Sequence, residues 1–183
     1  IGLDKDGNVF VADWRNDRIQ SFTADGQWLA SFGKPGTGGD ASIAKNHGGI
    51  RVVPQQVGAF NRPSGVAVDK DGDIYVADWG NDRIQMFNQE GQYIWKFLGD
   101  ASLSRVSRTY MMTNAMPNRL REMGKLEQEK YLRRPRSVRV DQEFRLFIPD
   151  YESYRIQIYQ KDAIPLDEET MAATPRNPTL ATT

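Results

Sequence analysis

Apolar and polar residues alternate in four short runs between residues 62 and 97. The runs cover residues 66–68, 74–76, 83–87 and 93–97, and clusters of Gly, Asn, Asp and Gln separate them. Alternation with a period of two, bounded by turn residues, is typical of half-buried antiparallel β-strands. The pattern therefore predicts one four-stranded meander in this stretch.

The same frame recurs on both sides of this stretch. Residues 78–87 read DWGNDRIQMF, and residues 13–22, at a shift of 65, read DWRNDRIQSF. At a shift of 72 in the other direction, a weaker copy includes Arg134-Pro135 and the sequence RIQIY at residues 155–159. Repeats of this length indicate one supersecondary unit that stacks on its neighbours to bury a continuous core.

These residues carry a resemblance to a known family. The combination of RPSGVAVD at residues 62–69, IYVAD at 74–78 and NDRIQMF at 81–87 resembles the NHL repeat of β-propeller proteins. The resemblance implies an all-β fold, a ring of about six four-stranded antiparallel blades around a central channel. It does not imply one activity, because NHL propellers serve as scaffolds, RNA readers, sensor domains and, less often, lyase- or esterase-like enzymes.

The repeats predict three blades with one loop insertion and one helical insertion between them. The predicted units are a truncated blade (1–33), a Gly-rich insertion loop (34–61), a second blade (62–98), a basic helical insertion (99–133), a final blade without its outer strand (134–160) and an extended tail (161–183). We expect the chain to be the C-terminal part of a six-bladed propeller. Its open blade edges would then pair with the missing remainder of the ring, because raw sheet edges invite pairing.

The amino-acid composition limits the class of protein but does not identify its cellular compartment. The chain has 24 basic and 24 acidic residues, one His and no Cys, and no stretch approaches the ~20 apolar residues of a membrane-spanning helix. This composition is typical of a soluble folded domain. The formal net charge of the whole chain is zero, but the charge is unevenly distributed. Residues 101–140 carry ten Lys/Arg against three Glu, a net charge of +7.

Two candidate metal sites have simpler explanations. Asp69, Asp71 and Asp73 are spaced like calcium ligands, but the glycine is fourth rather than sixth in the motif and Gly80 stands where a bidentate Glu is needed. A structural turn is therefore favoured. His47 stands alone, so neither a zinc site nor a Ser-His-Asp arrangement has its required partners. We predict no catalytic residue, no metal and no cofactor.

A second recurring pattern predicts a structural clamp in each blade. An Asp precedes an Arg by five residues in all three copies, at the turn between the second and third strands. Charge-assisted bidentate pairing suits that geometry, and each blade would need it equally. The predicted clamp pairs are Asp13 with Arg18, Asp78 with Arg83, and Asp150 with Arg155.

The turns that hold the clamps also carry aromatic residues, and all of these turns should lie at one end of the propeller. The insertions leave the blades at that same end, so the sequence predicts a rim surface for binding. Its candidate residues are Trp14, Arg15, Trp79, Tyr151, Arg119 and Arg121. Alternatively, the aromatic residues pack beneath the insertions as a satellite core.

The favoured function is a non-catalytic scaffold that binds a protein or peptide partner through this rim. One alternative is a lyase- or esterase-like enzyme with a metal in the channel. Another is RNA binding through the basic insertion, which we consider less favoured because the charge lies in one segment.

Overall fold

Three antiparallel sheets follow one another along the chain in the computed structural model, which describes residues 1–35, 57–100 and 130–161. Blade 1 contains strands β1 (Gly2–Leu3), β2 (Val9–Asp13), β3 (Arg18–Phe22) and β4 (Trp28–Phe32). Blade 2 contains β7 (Pro63–Val68), β8 (Ile74–Asp78), β9 (Arg83–Phe87) and β10 (Tyr93–Phe97). Blade 3 contains β11 (Arg139–Val140), β12 (Arg145–Asp150) and β13 (Arg155–Gln160).

Each blade is a meander in which sequential strands pair, in the order β1-β2-β3-β4, β7-β8-β9-β10 and β11-β12-β13. A parallel pair, β5 (Lys34–Pro35) with β6 (Ala59–Phe60), joins the chain leaving blade 1 to the chain entering blade 2. The prediction of an all-β fold built from antiparallel meanders is confirmed. The predicted helical insertion and most of the insertion loop lie outside the described residues. So does the tail, apart from Lys161.

The first hairpin turn of blade 2 explains why Asp begins this motif. The Asp69 Oδ1 accepts hydrogen bonds from the backbone N–H of Asp71 and of Asp73, both at 3.0 Å. Gly72 has φ of +92°, a conformation that glycine adopts at no steric cost. Asp4 and Asp141 accept the equivalent bonds in the other two blades. Local hydrogen bonding therefore accounts for the repeated acidic turn.

The apolar residues form two cores, one at each junction between blades. At the first junction, Phe10 and Ile19 of blade 1 pack against Val66, Ile74 and Val76 of blade 2. The second junction lies between blades 2 and 3. It is formed by Ala67, Tyr75, Ala77, Ile84, Leu132, Val138, Leu146 and Ile148. Blade 2 is thus buried on both sides, and full burial of each large aliphatic side chain contributes about 1.5–3 kcal/mol.

The two faces of a blade have distinct neighbours. We call the face that points to the following blade the forward face, and the face that points to the preceding blade the rear face. Ile19 lies on a forward face and Val66 on a rear face, and the backbones approach closely between them. A Cβ added at Gly2 would lie 2.7 Å from the carbonyl oxygen of Val66, so this junction excludes a side chain at that point.

A charged contact also joins blades 2 and 3 at their periphery. The Lys161 Nζ lies 2.8 Å from Asp69 Oδ2, 3.1 Å from Asp71 Oδ2 and 2.6 Å from Asp73 Oδ2. Burial disfavours the Lys161 ammonium, but the three carboxylates outweigh that effect and raise its pKa. The Tyr75 hydroxyl donates to Asp69 Oδ2 at 3.0 Å. We call this group the Lys161 clasp.

Candidate functional site

The turn between the second and third strands has the same conformation in all three blades. It closes with a residue in the left-handed region, namely Asp17 (φ +51°), Asp82 (φ +54°) or Tyr154 (φ +51°). In blades 2 and 3 the turn contains a short 3₁₀ segment, Trp79–Asn81 and Tyr151–Ser153. Each turn therefore has an aromatic residue at its second position, namely Trp14, Trp79 or Tyr151.

The predicted clamp partners lie in contact in every blade. The Arg Nε to Asp Oδ2 distance is 2.9 Å for Arg18 and Asp13, 2.7 Å for Arg83 and Asp78, and 2.8 Å for Arg155 and Asp150. In blades 2 and 3 the same Asp also accepts a backbone N–H from the segment entering the blade. Asp78 accepts from Asn61 at 2.8 Å, and Asp150 accepts from Arg133 at 2.6 Å. The carboxylate therefore joins the turn to the entering chain.

Burial changes the electrostatics of the clamps. Burial raises the pKa of Asp78, and the Arg83 charge and the Asn61 hydrogen bond oppose that rise. Asp13 is partly exposed, and its pKa is instead lowered, first by its hydrogen bond from Asn16 and then by that from Arg18. The same pair of side chains thus exists in two different dielectric environments.

A second repeated contact, which we call the latch, joins an Asp side chain of one blade to the backbone of an Arg that enters the next blade. The Asp17 Oδ1 accepts the backbone N–H of Arg62 at 2.6 Å, and the Asp82 Oδ1 accepts that of Arg134 at 2.6 Å. Both arginines have left-handed backbones, with φ of +56° and +53°. In blade 3 the equivalent position is Tyr154, which offers no carboxylate. The latch therefore brings an Arg beside the aromatic turn of the preceding blade at two junctions.

These contacts bring aromatic rings and guanidinium groups together along the rim. The rings of Trp14 and Trp79 are 5.0 Å apart between centroids. The Arg134 Cζ lies 4.5 Å from the Trp79 ring centroid, and the Arg62 Cζ lies 5.9 Å from it. One blade further on, the Arg136 Cζ lies 4.1 Å over the Tyr151 ring. Cation–π contacts at these distances hold the guanidinium groups in place.

The rim surface, from here on, comprises the rim residues that the structure describes: Trp14, Arg15, Arg62, Trp79, Arg134, Arg136 and Tyr151. Only Arg134 of its four arginines has an ion pair among the described carboxylates, with Nε 2.9 Å from Glu152 Oε1. The other three arginines are exposed and have no carboxylate partner within the described ranges. The surface therefore carries three exposed arginines whose charges no described carboxylate pairs with.

The Trp79 indole has an unusual feature. Its Nε1 is buried and finds no hydrogen-bond acceptor in the part of the chain that the structure describes. A buried donor without an acceptor is uncommon in folded proteins. The free energy that the N–H group loses on leaving water is then not regained through a hydrogen bond within the protein.

The structure describes four of the six predicted rim residues, and Arg119 and Arg121 lie outside the described ranges. It places Trp14 against Trp79, while Arg15 lies in the same turn as Trp14 and Tyr151 lies in the equivalent turn of blade 3. Sequence reasoning missed Arg62, Arg134 and Arg136. For Arg62 and Arg134 the repeated Arg-Pro dipeptide was the available signal, because it marks a backbone position shared by blades 2 and 3. Arg136 has no such signal, since its counterpart in blade 2 is Ser64.

Among residues 1–35, 57–100 and 130–161, no group of three or more His, Cys, Asp or Glu side chains could hold a metal ion. In the same ranges, no helix is long and apolar enough to cross a membrane. The three carboxylates of the Lys161 clasp are occupied by an ammonium group.

Successive antiparallel meanders stacked face to face, with a four-stranded sheet as the complete unit, define the blades of a β-propeller. Residues 60–87 match the family model of the NHL repeat. Blade 2 therefore carries an NHL repeat, and the resemblance to this repeat seen in the sequence is confirmed.

Two curated relatives resemble the chain over similar lengths. It is 30% identical over 124 residues to Protein brain tumor of Drosophila melanogaster, covering 57% of this chain and 12% of that protein. It is 30% identical over 125 residues to the B-box type zinc finger protein ncl-1 of Caenorhabditis elegans, covering 56% of this chain and 14% of that protein. The chain thus spans a small part of the length of either relative.

Among solved structures, a protein of unknown function from Bacteroides thetaiotaomicron superposes with a TM-score of 0.50 at 18% identity. The match covers 85% of this chain and 32% of that one. At this identity the likeness concerns the fold alone.

Proposed function

We propose that the chain is a non-catalytic propeller scaffold whose rim surface binds an acidic segment of a protein partner. One observation carries this proposal: arginines of the segment that enters blade 3 lie against the aromatic rings at the equivalent turn positions of blades 2 and 3, at 4.5 Å for Arg134 on Trp79 and 4.1 Å for Arg136 on Tyr151. Loops positioned by a rigid scaffold are where binding residues concentrate.

An arginine that stacks on an aromatic ring is well prepared to bind a carboxylate. A guanidinium group that lies flat on a ring still has its N–H donors at its edge, and those donors match the two oxygens of a carboxylate. The ring fixes the planar group beforehand, so that less side-chain entropy is lost on binding. Arg62 and Arg136 are best placed for this role, because neither has a carboxylate partner among the described residues.

The same arrangement is less suited to RNA. Single-stranded nucleic acid is held by bases that stack on open aromatic faces. Here Trp79 is already covered by Trp14 and by Arg134, and Arg136 covers Tyr151. The rings act as supports for arginine, and few of their faces remain for bases.

Binding of a fluorescent Asp/Glu-rich peptide and of a fluorescent oligouridylate, measured by anisotropy at physiological salt, tests the proposal. We expect the peptide to bind, and the Arg62→Ala/Arg136→Ala double variant to bind it at least roughly tenfold more weakly. Each lost charge-assisted hydrogen bond contributes about 1.5–3 kcal/mol, and about 1.4 kcal/mol corresponds to a factor of ten.

Arg145→Ala provides the matched control. Arg145 is an exposed arginine of blade 3 that pairs with Asp141 in the first hairpin turn, away from the rim surface. Its variant should bind the peptide like the parent. Preferential binding of oligouridylate, with affinity that falls steeply as salt rises, would instead indicate a nucleic-acid surface. Peptide binding that is unchanged in the double variant would exclude the rim surface.

A further inference from the structure

Two arginines of the rim surface, Arg62 and Arg134, have a backbone conformation that is rare for their residue type. Their φ angles are +56° and +53°, in the left-handed region. For residues other than glycine this region is disfavoured by a factor of about 5–30. Each arginine also precedes a proline, which biases the preceding residue toward an extended backbone. Both conformations therefore need an interaction that compensates for them.

The latch supplies that interaction at both places. The Asp17 Oδ1 accepts the Arg62 N–H at 2.6 Å, and the Asp82 Oδ1 accepts the Arg134 N–H at 2.6 Å. A hydrogen bond to a carboxylate is charge-assisted and is roughly twice as strong as a neutral one. Among the described residues, no ion pair joins Asp17 to the Arg62 guanidinium. The Asp17 latch therefore acts on the backbone of Arg62 and leaves its side-chain charge unpaired by that carboxylate.

The two latched arginines differ in what else holds them. The Arg134 Nε lies 2.9 Å from Glu152 Oε1, and the Arg134 Cζ lies 4.5 Å from the Trp79 ring centroid. The Arg62 Cζ lies 5.9 Å from the same centroid, near the limit for a cation–π contact. The guanidinium of Arg62 therefore depends more on its backbone, and so on Asp17, than that of Arg134 depends on its own latch.

We propose that Asp17 is a positioning residue of the rim surface, which holds the Arg62 backbone left-handed and so directs the guanidinium group beside Trp79 for an incoming carboxylate. This inference rests on the function proposed above. The negative charge of Asp17 opposes an acidic ligand, so its contribution is conformational. Without the latch, only a fraction of the molecules present Arg62 correctly, and the apparent Kd rises by the inverse of that fraction.

Asp17→Gly and Asp17→Asn separate the conformational effect from the effect of charge. Both variants remove the negative charge, and both glycine and asparagine adopt the left-handed backbone of this position, where φ is +51°. Only asparagine keeps a side-chain oxygen that accepts the Arg62 N–H. We expect Asp17→Gly to bind the fluorescent Asp/Glu-rich peptide about fivefold more weakly than the parent. Asp17→Asn should bind it at least as tightly as the parent. If charge alone mattered, both variants would bind more tightly.

The Arg62→Ala background shows whether Asp17 acts through Arg62. There Asp17→Gly should cause no further loss of affinity, because the side chain that it positions is absent. Hydrogen exchange gives a readout that does not depend on binding. The Arg62 amide should exchange faster in Asp17→Gly than in the parent and keep its protection in Asp17→Asn. Asp25→Ala, which removes an exposed carboxylate of the same blade outside the rim surface, is the control and should match the parent in both measurements.

The outcomes separate this inference from the function on which it rests. If the Arg62→Ala/Arg136→Ala double variant binds the peptide like the parent, the proposed function fails and the positioning role fails with it. If that double variant loses binding while Asp17→Gly keeps the affinity of the parent, only the positioning role is overturned. Asn61 and Pro63, which flank Arg62 in the chain, would then hold its backbone on their own. A further loss from Asp17→Gly in the Arg62→Ala background would also overturn the role, because Asp17 would then act through another residue.

Discussion

The Asp–Arg clamp occurs with the same geometry in blade 1 and blade 2, but its surroundings differ. Asp78 and Arg83 are fully buried, and the guanidinium also donates to the carbonyl of Ala59 at 2.7 Å. Asp13 and Arg18 keep a distance of 2.9 Å while much of the Arg18 side chain remains in solvent. The comparison shows that a repeated motif fixes a local shape, whereas the neighbouring chain segments determine its contribution to stability.

The largest difference between the two clamps should appear when the carboxylate is removed. Asp78→Ala leaves the buried Arg83 without its carboxylate, and breaking a buried pair in this way costs about 3–5 kcal/mol. Asp13→Ala should cost about 1 kcal/mol or less, because the pair is exposed. Urea unfolding followed by tryptophan fluorescence gives both free energies. Equal losses for the two variants would mean that the environment does not determine the contribution.

A second, somewhat smaller contrast concerns the isoleucines of the forward faces. Ile84→Ala creates a cavity between blades 2 and 3 and should lower the free energy of unfolding by about 2–5 kcal/mol. Ile156→Ala should change it by about 0.5 kcal/mol or less, because Ile156 is 63% exposed. Chemical denaturation of both variants measures the contrast. A large loss for Ile156→Ala would show that this face of blade 3 is covered.

The smallest expected effect is the pH dependence of the exposed clamp. The pKa of Asp13 is lower in the folded chain than in the unfolded chain, whose Asp groups titrate near about 3.9. Its stabilisation is therefore present above that value and is lost as pH falls through the folded pKa. We expect the stability of the parent to fall more steeply below about pH 4 than that of Asp13→Asn.

Urea midpoints measured from neutral pH downward test this expectation. Asp25→Asn is the matched control, since Asp25 is an exposed carboxylate of the same blade outside the clamp. Its curve should follow that of the parent. A parent curve parallel to that of Asp13→Asn would contradict the lowered pKa.

Short-range features could be predicted from the sequence because their causes are local. Alternation places Ile74 and Val76 on one face of a strand, and a spacing of five residues across a tight turn brings Asp78 to Arg83. Because the motif repeats, the same strand pattern and the same Asp–Arg contact are expected in the other blades. This explains why the all-β fold could be predicted from residues alone.

Contacts between distant segments could not be predicted in the same way. Nothing in the sequence near Arg134 indicates that its guanidinium lies over Trp79, because the contact depends on how one blade docks on the next. Lys161 reaches Asp69 across 92 residues, and a lone Lys has no periodicity that indicates its partner. The Asp-x-Asp-x-Asp run was interpreted as a turn, but the ammonium between its carboxylates was not foreseen.

The Lys161 clasp has a consequence for the order in which the chain matures during synthesis. Translation proceeds from the N-terminus at about 5–20 residues per second, and domains generally fold as they emerge. The carboxylates of Asp69, Asp71 and Asp73 are therefore synthesised before Lys161, which follows Asp73 by 88 residues. The contact that this lysine makes between blades 2 and 3 can form only once the end of blade 3 has been made.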